Sequence, residues 1–312
     1  MRLTACSWQN RRAEVVAPER VSEPASRQLP ADGRVLAPPG RRSCEVTANV
    51  ATGGYRIFSA LDRKGPDPVA GQFYMLSSAL WGGPDGRPYV PRAFSVAQSE
   101  RGSDGVRLDF LCEAIGPGTE RLAALAPRDQ LALTGPLGRP FSPPAELAPG
   151  AAGAILVGGG IGIAPLAILR RQLAERGVPQ RVLLGFRDRE HSGGVAELFR
   201  CEEVRLASED GHAGHQGYVT DLLAVLLEGD DAASAAVYAC GPPAMLEAVR
   251  LMCIERGVAA ELALEAPMAC GFGACFGCAM PLFDGGYMRL CVDGPVVRAS
   301  EIETALVAGS GH

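Results

Sequence analysis

Four cysteines near the C-terminus set the tightest constraint on this chain. Cys270, Cys275 and Cys278 lie on one glycine-rich loop and Cys291 follows a short hairpin later, in the spacing C-x4-C-x2-C-x12-C. Thiolates so placed match the ligand set of a plant-type 2Fe–2S cluster. Gly271, Gly273 and Gly277 suit that chemistry, because a loop wrapped closely round an inorganic core needs positive φ and backbone N–H groups turned toward sulfur. A structural zinc site is the competing reading, but it usually presents two C-x2–4-C knuckles, and only Cys275 and Cys278 form such a pair here. Disulfides are a third reading.

The 312 residues are enough for two or three domains with cores of their own. Hydrophobic residues make up 47% and charged residues 21%, and no apolar run is long enough to span a bilayer. The 39 glycines suit a protein whose backbone approaches several bound groups. Net charge is −5, yet residues 1–43 carry a surplus of four positive charges, so the remainder is near −9. An acidic body argues against nucleic acid as a main partner. Ten cysteines without a secretion signal predict a reducing cytoplasm. Residues 1–43 lack periodicity and are rich in Arg, Ala, Pro and Ser, so a disordered extension without assigned function is expected there.

From residue 44 to 145 short alternating runs are broken by Gly, Pro and Asp. Strands are expected at Glu45–Val50, Tyr55–Ala60, Gln72–Leu76, Arg92–Ala97, Val106–Cys112 and Gln130–Thr134, which together predict a small antiparallel β-barrel. One helix interrupts it, with Thr119 as cap and Pro127 as stop. Residues 150–260 read as alternating strands and helices, the pattern of a doubly wound parallel α/β sheet: Ala154–Val157, Arg181–Phe186 and Ala235–Cys240 as strands, and helices at 164–176, 221–227 and 242–256. Residues 261–303 are then a small cysteine-bearing domain.

Several loops carry phosphate-binding chemistry. Gly158, Gly159, Gly160 and Gly162 follow a buried strand and open a helix, where glycines let a pyrophosphate reach N–H donors, although tight strand–helix packing needs glycine too. The loop departs from G-x-G-x-x-G, and Asp188 is the nearest candidate for a ribose contact. Its neighbours Arg187 and Arg189 could instead meet a 2′-phosphate, which leaves NADH against NADPH open. Cys240 and Gly241 lie at a strand C-terminus, where such sheets bind ligands, but a buried thiol before a Gly-Pro turn is equally consistent. Arg92 can neutralise a diphosphate, Ser95 can donate to a ring nitrogen, and Gly116–Thr119 opens a helix. Each of these is also an ordinary exposed Arg or capped turn.

Taken in this order, the motifs resemble the ferredoxin–NADP reductase superfamily. Within it the chain is most similar to the electron-transfer subunits of NAD-dependent (class 1B) dihydroorotate dehydrogenases. Gly135-Pro-Leu-Gly138, Gly158-Gly-Gly-Ile-Gly-Ile-Ala-Pro165, Asp210-Gly211 with Gly217–Asp221, Glu265-x-x-Met268-x-Cys270-Gly and Cys291–Pro295 carry the resemblance, over about residues 44–303. It implies FAD held by Arg92, Ala93, Phe94, Ser95, Leu111, Cys112, Glu113, Gly118 and Thr119, and NAD held by Gly158, Gly159, Gly160, Gly162, Cys240 and Gly241. It also implies a 2Fe–2S cluster on Cys270, Cys275, Cys278 and Cys291. The implied activity is an oxidoreductase subunit of a cytoplasmic heterotetramer in pyrimidine (UMP) biosynthesis, taking electrons from an FMN-containing dihydroorotate-oxidising partner to NAD⁺. The family commonly reads R-P-[IVL]-S where this chain has Arg92-Ala-Phe-Ser95, and often an Arg before G-x-G-T where this chain has Leu111-Cys112-Glu113.

A sibling of the same build, such as the gamma subunit of a sulfhydrogenase or another NAD(P)H:acceptor reductase, is the alternative enzyme. A zinc-stapled nucleotide-sensing protein is the alternative outside enzymes. His212 and His215 are expected to be solvated, and Cys6, Cys44, Cys112, Cys201 and Cys253 to be inert thiols. No Ser/His/Asp constellation or pair of carboxylates at the flavin loops is expected, so no general base is assigned. Phe272 and Phe276 are candidates for partner contact or for core packing.

Overall fold

Short alternating strands can bury one face by closing on themselves. β1 (Arg42–Thr52), β2 (Tyr55–Asp62), β3 (Phe73–Ser78), β4 (Arg92–Gly102), β5 (Gly105–Cys112) and β6 (Gln130–Leu137) do so in a computed structural model, as a closed antiparallel barrel of order β1-β2-β5-β4-β3-β6. The structure describes residues 32–38, 40–78, 90–192, 195–199, 204–229, 234–307 and 309. Aromatic rings fill the barrel: Phe110 lies 5.5 Å from Phe58, 5.8 Å from Tyr74 and 6.5 Å from Phe94, in tilted and edge-on contacts. Helix α1 (Pro117–Ala123) follows β5, and the single turn α2 (Pro144–Leu147) leads out of the barrel. Thr119 is not the cap of α1: Gly116 is, and Thr119 stands at the third helical position and reaches back.

The second layer consists of β7 (Gly153–Gly159), β8 (Gln180–Phe186), β9 (Val204–Ser208), β10 (His215–Gln216), β11 (Ala235–Cys240) and β12 (Ala260–Ala263). Helices α3 (Ala164–Glu175), α4 (Arg189–Ser192), α5 (Val219–Leu227) and α6 (Pro243–Arg256) connect them. The strand order is β10-β9-β8-β7-β11-β12, all parallel. Ile155–Val157 and Val237–Cys240 are wholly buried apolar runs, as strands covered on both faces require. The cysteine segment contributes the hairpin of β13 (Ala279–Pro281) and β14 (Tyr287–Arg289), and β15 (Val296–Arg298) adds to the sheet edge antiparallel to β12. The expected boundary at residue 261 therefore cuts a strand of the sheet.

Buried polar contacts join the layers. The carboxylate of Glu261, 4% exposed, accepts the N–H of Ser142 at 2.8 Å and its hydroxyl at 2.7 Å, and burial raises its pKa. Gln172 on α3 accepts the N–H of Ala70 at 3.0 Å and donates to the carbonyl of Pro68 at 3.3 Å. The expected extension also needs correction over its described part. Arg42 and Ser43 belong to β1, Gln72 exchanges hydrogen bonds with Val35 across 2.9 and 3.4 Å, and Arg34 Nη1 donates to the carbonyl of Val292 at 3.1 Å. Residues 1–31 and Cys201 lie outside the described residues. Among the described residues no helix is long and apolar enough to cross a membrane.

Glu247 on α6 anchors the C-terminal stretch, accepting Ala305 N–H and the Thr304 hydroxyl at 3.1 Å while paired with Arg250 at 2.7 Å. The Arg250 guanidinium, opposed by burial and aided by Ala305, holds its carboxyl at about 2. A depressed carboxylate stabilises the fold above its unfolded value and loses that contribution as pH falls through the folded one. Glu247→Gln is expected to cost about 1–2 kcal/mol near neutral pH and to free residues 303–307 for proteolysis. At pH below 2 the difference in melting temperature from the parent should vanish.

Candidate functional site

Where β7 and β11 end side by side, connections leave the sheet in opposite directions, and a crevice opens at their C-terminal edge. The barrel closes over it to form a cleft of about 470 Å³. The barrel contributes Phe73, Arg92, Ala93, Phe94, Ser95, Leu111 and Glu113, followed by residues 115–119. The sheet contributes Ile161, Gly162, Ala164, Pro165 and Cys240, and residues 263–268 with Pro295 and Gly309 complete the wall. Residues 265–268 of the Glu265-x-x-Met268 motif lead from β12 into the cysteine loop and form part of this wall.

The guanidinium of Arg92 lies against Gly118, where an added Cβ would stand 3.0 Å from Nε and Nη2 and push the cation aside by a few tenths of an ångström. Thr119 Oγ1 accepts the N–H groups of Ile115 and Gly116 at 3.0 and 3.1 Å, tying the loop to itself. Cys112 does not reach the cleft. Its buried thiol donates to the Thr119 carbonyl at 3.6 Å, and burial pushes it up to about 12, so it supports the loop from behind.

The glycine loop divides into two roles. Gly158, Gly159, Gly160 and Gly241 are absent from the cleft wall. A Cβ on Gly158 would meet Ile163 and Leu184 at 2.9 and 3.0 Å, and one on Gly159 or Gly241 would meet Met245 at 2.6 Å. Close packing explains these three. Gly160 instead needs its left-handed φ of 53° to turn the chain. Gly162 faces the cleft and also presses on the neighbouring turn, with a Cβ only 2.5 Å from the Gly241 backbone. Beside it the Cys240 thiol is kept neutral by burial and by the charge of Glu265. Glu113 and Glu265 both line the cleft; Glu113 is held by Arg187 at 3.0 Å and His191 at 3.2 Å.

Asp188 and Arg187, the candidates for ribose or 2′-phosphate, are engaged in that same latch. Asp188 accepts from the His191 backbone at 2.9 Å and ring at 2.6 Å, bonds that lower its pKa. The His191 ring stands edge-on to Tyr55 at 5.3 Å, which ties the end of β8 to the barrel. His212 is not solvated: its ring bridges Ser192 Oγ at 2.6 Å and Asp210 Oδ1 at 2.7 Å. Ser192, His212 and Asp210 thus form the constellation the sequence hid across a gap of eighteen residues. The Ser192 hydroxyl donates to Arg189 O at 3.1 Å, so the group fastens a loop. His215 pairs with Asp221 at 3.0 Å and is half-exposed.

The four cysteines of the C-terminal motif come together as two thiol pairs. The Cys270 thiol lies beside that of Cys275, and the Cys291 thiol beside that of Cys278. Among the described residues no three thiol, imidazole or carboxylate groups gather round a single ion-sized point. Two pairs suit a two-iron core, in which each iron takes two thiolates. The backbone supplies donors as that chemistry demands: Gly273 N–H to Cys291 Sγ at 3.2 Å and Cys291 N–H to Cys278 Sγ at 3.4 Å. Burial raises the Cys270 thiol, but N–H groups of Cys275, Phe272 and Ala274 outweigh it and bring it down to about 6. Burial and the Cys278 thiol push Cys291 up to about 12. The residues fit the cluster. Gly271, at φ 76°, seats this loop on the barrel, since a Cβ there would stand 2.5 Å from Met75. Cys275 is exposed, and so are Phe272, Phe276, Phe283 and Tyr287, each more than 60%. All described cysteines are free, so no disulfide competes among them.

Comparison with known proteins agrees with this geometry. Residues 265–303 match the iron–sulfur cluster binding domain of dihydroorotate dehydrogenase B, and residues 156–251 match an oxidoreductase NAD-binding domain. The iron–sulfur match sets aside the zinc alternative. The dihydroorotate dehydrogenase B (NAD(+)) electron transfer subunit of Listeria welshimeri is 35% identical over 238 residues, 76% of this chain and 88% of that protein. Its counterpart in Bacillus caldolyticus is 42% identical over 190 residues, 60% and 70% of the two chains. Among solved structures, an NADH-dependent reduced ferredoxin–NADP oxidoreductase studied for flavin-based electron bifurcation superposes with TM-score 0.71 at 25% identity, covering 85% of this chain and 91% of its own. Phthalate dioxygenase reductase shares the fold, with TM-score 0.55 at 19% identity, covering 85% and 96%.

Proposed function

The chain belongs to the family of dihydroorotate dehydrogenase B electron-transfer subunits, and from that premise we propose that it carries electrons to NAD⁺ from a dihydroorotate-oxidising, FMN-bearing partner, by way of a 2Fe–2S cluster and FAD, in cytoplasmic pyrimidine synthesis. A flavin exchanges single electrons with an iron–sulfur centre and a hydride with a nicotinamide, so the two groups together convert one kind of transfer into the other.

One observation carries the reading: a single cleft receives Arg92–Ser95 from the barrel, Gly162 and Cys240 from the sheet, and Glu265–Met268 from the approach to Cys270. Each side chain has a role there. Arg92, with Gly118 clearing space for it, neutralises a diphosphate, and Thr119 keeps the adjoining loop in shape. Ser95 offers a hydrogen bond to a ring nitrogen, while Phe73, Phe94 and Leu111 exclude water. Gly162 lets a nucleotide approach the backbone, and Cys240 faces it uncharged. Exposed Phe272 and Phe276 give the partner an apolar footing beside Cys275.

The anaerobically purified chain should be brown-yellow, with two irons and one FAD. Alone it should oxidise NADH with an artificial acceptor and leave dihydroorotate unchanged. Mixed with the FMN-bearing flavoprotein, it should form a stable complex in which dihydroorotate reduces NAD⁺. Turnover of dihydroorotate by the isolated chain, or two proteins that neither bind nor couple, would defeat the proposal in favour of a reductase serving another acceptor.

A further inference from the structure

Arg289, at the end of β14 and two residues before Cys291, makes contacts that its surface position does not require. Its Nη1 donates to the carbonyl of Gly273 at 3.3 Å, and its guanidinium carbon lies 5.5 Å from the centroid of the Phe276 ring. Gly273 sits between Cys270 and Cys275, and Phe276 between Cys275 and Cys278, so one planar cation grips the cysteine loop on both sides of its exposed thiol. The Gly273 residue is the decisive partner. Its N–H donates to Cys291 Sγ while its carbonyl is held by Arg289. At φ 83°, Gly273 has Val292 and Arg289 packed where a Cβ would be. Phe276 is itself in the left-handed region at φ 57°, a conformation a non-glycine residue keeps only when its surroundings hold it. The ordinary reading of Arg289 is an ion pair with Asp293 at 3.5 Å. Both partners are more than a third exposed, so that pair contributes little and does not explain the grip on Gly273.

We propose that Arg289 is a positioning residue for the iron–sulfur centre: it fixes Gly273 so that the N–H stays aimed at the Cys291 sulfur, and it sets a positive charge beside the loop. The inference rests on the reading of the four cysteines as cluster ligands. Hydrogen bonds to the sulfurs and local charge both set the potential of such a centre, and both contributions of Arg289 favour the reduced, more negative state.

The test compares the parent protein with Arg289→Gln and Arg289→Lys, each with its FAD bound, by dye-mediated redox titration followed by electron paramagnetic resonance and by the rate of iron loss to a chelator. In Arg289→Gln the reduced-to-oxidised ratio of the cluster at a fixed poise should fall about tenfold, equivalent to about 59 mV for one electron. Iron should leave about tenfold faster, as expected when a supporting contact behind a ligand is removed. Arg289→Lys keeps the charge but cannot span both contacts with one planar group, and should fall between the two. An unchanged ratio in Arg289→Gln overturns the proposal, even if the variant is less heat-stable, because a merely structural arginine would leave the potential alone. Should the Gln variant fail to hold iron, the Lys variant decides: parental potential together with parental iron retention overturns it. Absence of iron from the parent protein would instead sink the cluster reading itself.

Discussion

Cys275→Ser is expected to separate the two halves of this protein: cluster absorbance lost or strongly reduced, FAD retained, and NADH oxidation by a flavin-linked artificial acceptor close to parental. Coupled dihydroorotate-dependent NAD⁺ reduction should fall by about 100-fold or more, since even supporting groups behind a ligand cost 10- to 100-fold in metal affinity. The prediction follows from placement. Cys275 is exposed on the loop beside Cys270, whereas the barrel groups at the cleft belong to separate strands. Replacing it removes one ligand while leaving the backbone N–H groups that bring Cys270 down, and it does not touch Arg92 or Gly118. Gly271 against Met75, and Arg139 against Gly294 and Pro295, join the cysteine segment to the barrel, and serine at position 275 leaves these contacts intact. Equal loss of both activities, with flavin still bound, would mean that the cysteine loop organises the cleft rather than relaying electrons from it.

Much of the fold was legible because its signals are local. Alternation marks the barrel strands, and the buried runs at Ile155–Val157 and Val237–Cys240 with glycines at Gly177 and Gly257 mark the sheet and its helices; both glycines take the left-handed φ of a helix stop. What escaped depends on distant partners. β12 and β15 are three or four residues long and are strands only because β11 and each other complete their ladders. Arg34 and Val35 lie in the expected disordered extension, and their order comes partly from Val292 and Gln72, far along the chain. Among the candidate site residues, spacing singled out the four cysteines as one group, because a ligand set has a fixed spacing in sequence. It could not show that Met245, Ile163 and Leu184 pack closely against Gly158, Gly159 and Gly241. Nor could it expose Glu113, His191 and Asp188 as a latch, since their approach exists only once barrel and sheet have docked.

Gly162→Val should abolish most nicotinamide chemistry while sparing the flavin and the cluster. The Gly162 backbone is pressed against the Cys240–Gly241 turn: an added Cβ would stand 2.5 Å from Gly241 Cα and N and 2.7 Å from Cys240 C, all main-chain atoms that cannot rotate away. A branched side chain must therefore part the two loops that form the sheet side of the cleft. A displacement of about 1 Å at a positioned reacting centre is worth about 100-fold, so kcat/KM for NADH oxidation should fall by about that factor. Overpacking at a tight contact should cost about 1–3 kcal/mol in stability. Gly160→Ala is the matched comparison. It has room for a Cβ, with the Tyr55 hydroxyl 3.7 Å away, but carries the strain of φ 53°. It should cost only about 1 kcal/mol and leave nicotinamide kinetics within about threefold of parental. Flavin content and chemical reduction of the cluster should be parental in both variants, because Arg92, Gly118 and the four cysteines lie on other elements. Parental NADH kinetics in Gly162→Val would mean that the two loops do not meet as described, and the cleft would lose its role as the nicotinamide site.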